Sequence, residues 1–329
     1  MDKLAQLRRD ATGDAWTSHR DGRYKRRASQ IGRRRFVLDS KLLAFAAALA
    51  APLMWSVGGV VMRSVSTAGP WEQIFWRAVG GGTAVALALA LMGSSRAWTS
   101  WRQAGISGWA SAACVTGSFV VHVLAINATT VANVLFLQTA SPLLMPVLAW
   151  AVLGERLDRR TAIAVVIAAA GLAPIVIASA GGGRLAGDLL ALASALFGAT
   201  NILIVRRWRA VNLVPVVVVA SLATILISAL FALPLSTSNG DILALLVLGV
   251  VQLAIGLSLF LYALRHLPAG PVALMTLLEP VVGPVLVWLV IGEAPPTTTI
   301  VGGSVVIMAL LLCASATARN PSPSPEPAR

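Results

Sequence analysis

Ten long apolar stretches constrain this chain more than any other feature of its sequence. A helix that crosses a bilayer needs about 20 mostly apolar residues, because each backbone N–H and C=O group in hydrocarbon must be satisfied within the segment. Short linkers with glycine, proline and charged residues separate the stretches. The predicted spans are roughly 41–63, 70–92, 104–126, 129–153, 160–179, 187–205, 213–233, 241–264, 269–291 and 297–315. We therefore predict an all-α integral membrane protein with ten transmembrane helices.

Composition supports the same class. Hydrophobic residues make up 57% of the 329 residues and charged residues only 12%, which leaves too little polar surface for a soluble domain of this size. Cys114 and Cys313 both fall in predicted spans, where a thiol acts as a small apolar filler. We expect neither a disulfide framework nor a metal site built on cysteine.

The basic residues indicate how the chain is oriented. Of 26 lysines and arginines, 12 lie in the first 41 residues, so the net charge of +13 is mainly a membrane-orientation signal and does not indicate a nucleic-acid partner. With the amino terminus inside, outer loops hold only Arg63 and Arg184. The cytoplasmic loops then hold Arg96, Arg102, Arg156, Arg159, Arg160, Arg206, Arg207, Arg209 and Arg265. This bias predicts a multi-pass protein of the cytoplasmic (inner) membrane of a bacterium, with both termini cytoplasmic.

Two polar tails flank the spans. Residues 1–40 form a basic segment that we predict to be disordered or to lie on anionic lipid. Arg33-Arg34-Arg35 resembles a twin-arginine signal, but nine further spans follow the first, so we expect an anchor that is retained. An overlong gene start is the alternative explanation of this segment. Residues 316–329 are rich in Pro and Ser and predict an extended cytoplasmic tail.

The chain contains an internal repeat. A shift of 138 residues aligns Pro142 with Pro280, Pro146 with Pro284, Trp150 with Trp288, Gly154 with Gly292, Glu155 with Glu293 and Thr161 with Thr299. Two five-helix copies, 41–180 and 187–315, must enter the membrane in opposite senses because five is odd, as in the inverted repeats of many secondary transporters. Arginines follow the first copy of the fourth span and are missing after the second.

Several short motifs resemble the EamA family of the drug/metabolite transporter superfamily. In the second half they are Tyr262-Ala263-Leu264, Pro268-Ala269-Gly270, Glu279-Pro280 and Gly292-Glu293. The first half agrees more loosely through Trp55, Arg77 and the stretch from Ser141-Pro142 to Gly154-Glu155, and it departs at Ser56 and at Ser141, which stands opposite Glu279. The resemblance implies a ten-helix bundle with a central cavity that opens to either side in turn. It implies a carrier of small metabolites, amino acids or drugs, which we predict to be an exporter without cofactor or metal.

Two ionisable residues deep in the spans are the first candidates for the site. Glu279 lies about ten residues into the ninth span, near the membrane midplane, and could carry a coupled proton. The alternative is a structural carboxyl that hydrogen-bonds to backbone freed by Pro280. Arg77 could bind a carboxylate or phosphate of the substrate, or could pair with Glu72 or Glu279.

Uncharged residues complete the predicted cavity. Trp55, Gln138 and Gln252 lie near the middle of their spans and are candidate wall residues. The alternatives are helix packing for Trp55 and hydrogen bonds between helices for the two glutamines. Other polar residues at membrane depth, predicted to bridge helices, are His122, Asn127, Asn133 and Asn201. The matched prolines, predicted to kink both copies and free carbonyls for a cavity, are Pro142, Pro146, Pro280 and Pro284.

Other functional classes fit the sequence less well. The histidines are scattered and no His, Asp and Glu set has metal-ligand spacing, so we do not expect an enzyme. A chain with only three lysines and no phosphate-binding glycine loop is not an ATP-driven pump. A channel or a scramblase of lipid-linked intermediates stays open as an alternative, and so does the oligomeric state.

Overall fold

The computed structural model describes residues 41–93, 95–208 and 212–319, and within them every regular element is helical. The helices are α1 Lys41–Ser64, α2 Pro70–Leu91, α3 Ser95–Ala104, α4 Ile106–Ala128, α5 Val131–Gln138, α6 Ser141–Leu153, α7 Arg159–Gly181, α8 Leu185–Arg207, α9 Leu213–Ala232, α10 Asn239–Gly249, α11 Leu257–His266, α12 Ala269–Met275, α13 Leu278–Ile291 and α14 Thr297–Arg319. A π-helical turn, Val250–Gly256, joins α10 to α11. The basic segment 1–40 with its arginine triplet, Arg209 and residues 320–329 lie outside the described residues.

The all-α membrane class is confirmed. Nine helical segments of the described chain are long and apolar enough to cross a bilayer, and a shorter apolar segment, Thr297–Leu312, occupies the tenth predicted position. The predicted spans match these segments to within a few residues at each end. Helix α14 continues through Arg319 and so includes the first four residues of the segment 316–329.

The structure adds one helix that the sequence analysis placed in a linker. Helix α3 has apolar Ala97 and Ala104 buried, while Trp98 is largely exposed and Trp101 packs edge-on against Trp109 at 5.1 Å. A short helix with a tryptophan-rich face is typical of the membrane interface. It is too short and too polar to register as a span.

Two predicted spans are interrupted at matching places. The fourth breaks between α5 and α6, just before Pro142, and the ninth between α12 and α13, just before Pro280. A proline has no N–H to continue the helical hydrogen bonding, which accounts for both breaks. Pro146 and Pro284 lie inside the continuous helices α6 and α13.

Small residues let the helices approach closely. A Cβ atom at Gly80 would collide with the backbone carbonyl of Leu246 in α10, and one at Gly82 would lie 2.5 Å from the Cβ of Ser221 in α9. Helix α2 therefore packs backbone to backbone against the second half of the chain, as small residues permit in lipid.

A buried polar network fastens four helices where their ends meet. Asp188, in the first turn of α8, is fully buried and accepts hydrogen bonds from the Thr129 hydroxyl at 2.7 Å and from the Asn133 amide at 3.1 Å. The same amide donates to Ser179, and the Thr299 hydroxyl donates to the Asn133 carbonyl oxygen. The bridging role predicted for Asn133 is confirmed, while the sequence analysis missed Asp188 because it sits at the margin of a span.

This network makes a stability prediction. Asp188→Asn puts an amide donor opposite the donors of Thr129 and Asn133, and should lower the free energy of unfolding by about 1–3 kcal/mol. Asp158→Asn is the matched control, because Asp158 is an exposed N-cap that accepts from the Arg160 N–H and asparagine caps equally well. Thermal unfolding of both variants in detergent measures the difference, and equal midpoints would contradict the prediction.

Candidate functional site

A cavity of about 360 Å³ lies among helices of both halves. Apolar atoms form most of its wall, and its aromatic members are Trp55, Phe119 and His122. The lining residues with polar groups that can bind a solute are Ser118, His122, Gln138, Asn201, Ser221, Thr224 and Gln252. Three of the five predicted site residues, Trp55, Gln138 and Gln252, therefore share one cavity.

Gln252 lies at the centre of the contacts around this cavity. It sits in the π-helical turn, is almost fully buried, and its Nε2 donates to the Trp55 carbonyl at 2.7 Å. In return, the Trp55 indole Nε1 donates to the backbone carbonyl of Gln252 at 3.1 Å. A π-helical turn aims its side chains differently from a regular helix and often marks a functional site. Here the turn directs Gln252 at both α1 and α2.

Arg77 lies behind the wall of the cavity. Its side chain is 5% exposed, its Nη2 donates to the Gln252 Oε1 at 2.5 Å, and its guanidinium lies 4.7 Å from the centroid of the Phe119 ring. The Nη1 contacts the Met62 sulfur at 3.4 Å, and the buried Nε makes no hydrogen bond within the described residues. The guanidinium thus retains an unused donor next to a solute-sized cavity.

Two acidic residues were proposed as structural partners of Arg77. The Glu72 carboxylate accepts hydrogen bonds from the backbone N–H groups of Gly69 and Ser236. Among the described residues, neither Glu72 nor Glu279 forms an ion pair with Arg77. Neither proposed pair is therefore observed.

Glu279 lies at the start of α13, directly after the break in the ninth span. The carbonyl that Pro280 leaves without its usual donor belongs to Thr276, and it accepts from the backbone N–H of Glu279 at 3.1 Å. The Glu279 carboxyl makes no hydrogen bond among the residues that the structure describes, so the alternative of a carboxyl bound to freed backbone is not observed. Glu279 does not line the cavity itself.

A second polar cluster joins α4, α5 and α8, and its members Ser118, His122 and Gln138 line the cavity. The Gln138 Nε2 donates to the His122 Nδ1 at 2.8 Å and to the Ser194 hydroxyl at 2.7 Å, and the hydroxyls of Ser118 and Ser194 lie 3.0 Å apart. Because an amide nitrogen can only donate, Nδ1 of His122 accepts and its Nε2 carries the proton. Serines are common in membrane helices, and no feature of the sequence distinguished Ser118 or Ser194.

The predicted bridging by polar residues is confirmed for the remaining members of the set. Asn127 exchanges hydrogen bonds with Gln73 of α2, and Asn201 accepts from the Ser111 hydroxyl at 2.6 Å. These bonds join α4 to α2 and to α8. They leave the Asn201 amide group on the cavity wall.

These features define a multi-pass membrane protein of the transporter class. The sequence pattern of the EamA-like transporter family matches residues 42–177 and again residues 185–315, which together make up most of the chain. The chain belongs to the EamA-like transporter family, as its short motifs indicated. One solved protein crystal structure aligns with 86% of this chain and 99% of its own at 20% identity, with a TM-score of 0.57. That likeness concerns the fold alone, and a comparison with curated proteins gave no match.

The contact between Arg77 and Gln252 makes a second prediction. Gln252→Leu leaves a buried guanidinium without its acceptor and should lower the free energy of unfolding by about 1–3 kcal/mol. Adding Arg77→Leu removes the unpaired donor as well, so the double variant should recover part of the loss. Denaturation of the two single variants and the double variant gives the coupling. Strictly additive losses would contradict a direct interaction.

Proposed function

We propose that this chain is a secondary transporter that carries a small solute through the 360 Å³ cavity by alternating access of two inverted five-helix repeats. The observation that carries the proposal is the contact of Trp55 and Arg77, from the first family match, with Gln252 from the second, at the wall of one cavity. A site at the interface of two repeats is where transporters of this architecture bind their solute.

Polar contacts between helix ends support the inverted arrangement. Arg63 lies near the end of α1, Thr129 lies between α4 and α5, Val131 begins α5 and Glu293 follows α13. These residues contact one another. Glu155, after α6, contacts Arg206, near the end of α8. If the chain crosses the membrane ten times in succession, with five crossings in each half, the residues of each set lie on the same side of the membrane. The two sets of contacts therefore agree with this arrangement. The arginine bias places the end with Glu155 in the cytoplasm of a bacterial cell, and both termini with it.

The cavity suggests the kind of solute. Its volume is near the lower end of the range of about 300–1,000 Å³ typical of ligand pockets, which suits a small metabolite, amino acid or drug. Trp55 and Phe119 offer surfaces for an apolar or planar part. Gln138 and Asn201 offer amide groups, and the free Nε of Arg77 can donate to a carboxylate or phosphate. In the proposed orientation the protein exports this solute.

A comparison of metabolites in the medium of deletion and overexpression strains would identify the solute. Purified protein in proteoliposomes should then show saturable uptake and counterflow, in which unlabelled solute on one side drives labelled solute across. Flux that rises linearly with concentration and lacks counterflow would show a channel instead. Movement of a lipid-linked intermediate without movement of the free solute would show a scramblase.

Arg77→Lys tests the role of the guanidinium in solute binding. Lysine keeps the charge but loses the planar set of donors, so counterflow should fall at least about tenfold at unchanged protein level. Lys substitution at exposed Arg207, which lies over the Trp208 ring, is the control and should leave counterflow unchanged. Full counterflow in Arg77→Lys would mean that Arg77 acts only as a structural residue.

Glu279→Gln tests proton coupling. We propose that Glu279 takes up and releases a proton during the transport cycle. It does so because the solute and the Glu279 carboxylate compete for the guanidinium of Arg77. The variant should retain counterflow, which needs no net proton movement, and should lose transport driven by an imposed proton gradient. Unchanged gradient-driven transport in Glu279→Gln would remove Glu279 from the coupling mechanism.

A further inference from the structure

Two ion pairs join helix ends far from the cavity. The Arg63 Nε lies 2.8 Å from the Glu293 Oε2, and the Arg206 Nη2 lies 2.8 Å from the Glu155 Oε2. They are the two ion pairs of the part of the chain that the structure describes. Neither pair was anticipated from the sequence, although Glu155 and Glu293 belong to its repeated motif.

The two pairs correspond under the internal repeat. Glu155 and Glu293 are aligned by the 138-residue shift, and each follows the left-handed glycine that ends the fourth helix of its repeat. Arg63 and Arg206 are both the next-to-last residue of the first helix of their repeat. Each pair therefore links the first helix of one repeat to the fourth helix of the other. A pair of incidental surface contacts would not be expected to show this reciprocal exchange.

The two pairs differ in their surroundings. Glu293 also accepts from the Val131 N–H at 2.8 Å, and Arg63 also donates to the Thr129 carbonyl at 2.6 Å. The Arg63 side chain is 25% exposed and the Glu293 side chain 22%. Arg206 and Glu155 are 51% and 42% exposed, and beyond their ion pair the Met145 sulfur lies 3.7 Å from Arg206. Water therefore screens the Arg63–Glu293 pair less than the Arg206–Glu155 pair.

We infer that these pairs are the two alternating locks of the transport cycle: Arg63–Glu293 holds one end of the bundle closed and Arg206–Glu155 holds the other. The inference rests on the proposed alternating access. An end can open only when the first helix of one repeat separates from the fourth helix of the other, which breaks the pair at that end. Both pairs are formed in this structure. Both pairs keep contact with solvent, so water can solvate the charges when a pair breaks.

The inference predicts opposite effects of matched substitutions. Removing a lock favours the state in which its own end is open, at the expense of the state open at the other end. Arg63→Gln removes the arginine of the pair together with its hydrogen bond to the Thr129 carbonyl, and leaves the hydrogen bond from the Val131 N–H to Glu293 intact. Arg206→Gln removes the arginine of the pair at the opposite end.

Thiol labelling measures which end is open. In a Cys114→Ala/Cys313→Ala background, a cysteine at Val217, a residue of the cavity wall, reports access to the cavity. A membrane-impermeant maleimide is applied to intact cells and to inverted membrane vesicles. Arg63→Gln should raise the labelling rate from one side and lower it from the other, each at least about twofold, and Arg206→Gln should do the reverse. The change in labelling rate should be larger for the less solvated Arg63–Glu293 pair than for Arg206–Glu155.

Controls separate the lock from general effects of charge. Arg207→Gln removes a charge one residue from Arg206 that makes no ion pair among the described residues, and should leave both rates unchanged. The exchange Glu155→Arg/Arg206→Glu should restore the parental rates. The exchange at Arg63 and Glu293 should restore them only in part, because an arginine at 293 cannot accept from the Val131 N–H.

Two results would overturn the inference. One is a change of the same sign in Arg63→Gln and Arg206→Gln; the other is a fall in thermal stability with both labelling rates unchanged, as a purely structural pair would give. If Arg63→Gln does not fold, Arg206→Gln at the more exposed pair tests the inference alone. Counterflow of the parent protein keeps the proposed function separate: a parent without counterflow refutes the carrier, whereas counterflow with unaffected labelling refutes only the locks.

Discussion

Every backbone polar group within the hydrocarbon needs a hydrogen-bond partner, and this constraint shapes the whole molecule. Long helices satisfy it along most of each span. The backbone departs from a regular α-helix at three places within the spans: before Pro142, before Pro280 and through the turn Val250–Gly256. Each departure lies next to a polar residue of the site, namely Gln138, Glu279 and Gln252. Irregular backbone at membrane depth is stable where it is buried in protein or lines a cavity. Gln138 and Gln252 place two of the three departures at the cavity.

Gln252 explains how the two halves share that cavity. Its side chain accepts from Arg77 and donates to the Trp55 backbone, so one amide connects the π-helical turn to two helices of the first family match. The amide neutralises no charge, and among the described residues the buried Nε of the guanidinium has no hydrogen-bond partner. This arrangement leaves Arg77 able to bind a further acceptor, which a direct ion pair with a carboxylate would prevent.

Much of this could be predicted because lipid simplifies the relation between sequence and structure. Apolar length alone located the spans, and the prediction that Asn127, Asn133 and Gln138 bridge helices followed from the scarcity of partners for amides in hydrocarbon. The predictions failed where spatial neighbours matter. Glu72 was a plausible partner for Arg77 by distance along α2, yet it is held by Ser236 from a distant loop. Asp188 and Ser194 carried no signal, since their roles depend on helices that approach them from elsewhere in the chain.

The sequence by itself determined the membrane class, the ten apolar segments, the repeated motif and the family, because all of these depend on composition and order along the chain. The tertiary structure alone decided that Trp55, Gln138 and Gln252 line one cavity with Arg77 behind it. It also decided that Glu155 and Glu293, which the repeat had already aligned, each bind an arginine of the opposite half. Helix packing sets which side chains meet across the interface of two halves, and the residues that meet there lie more than 50 positions apart in the chain.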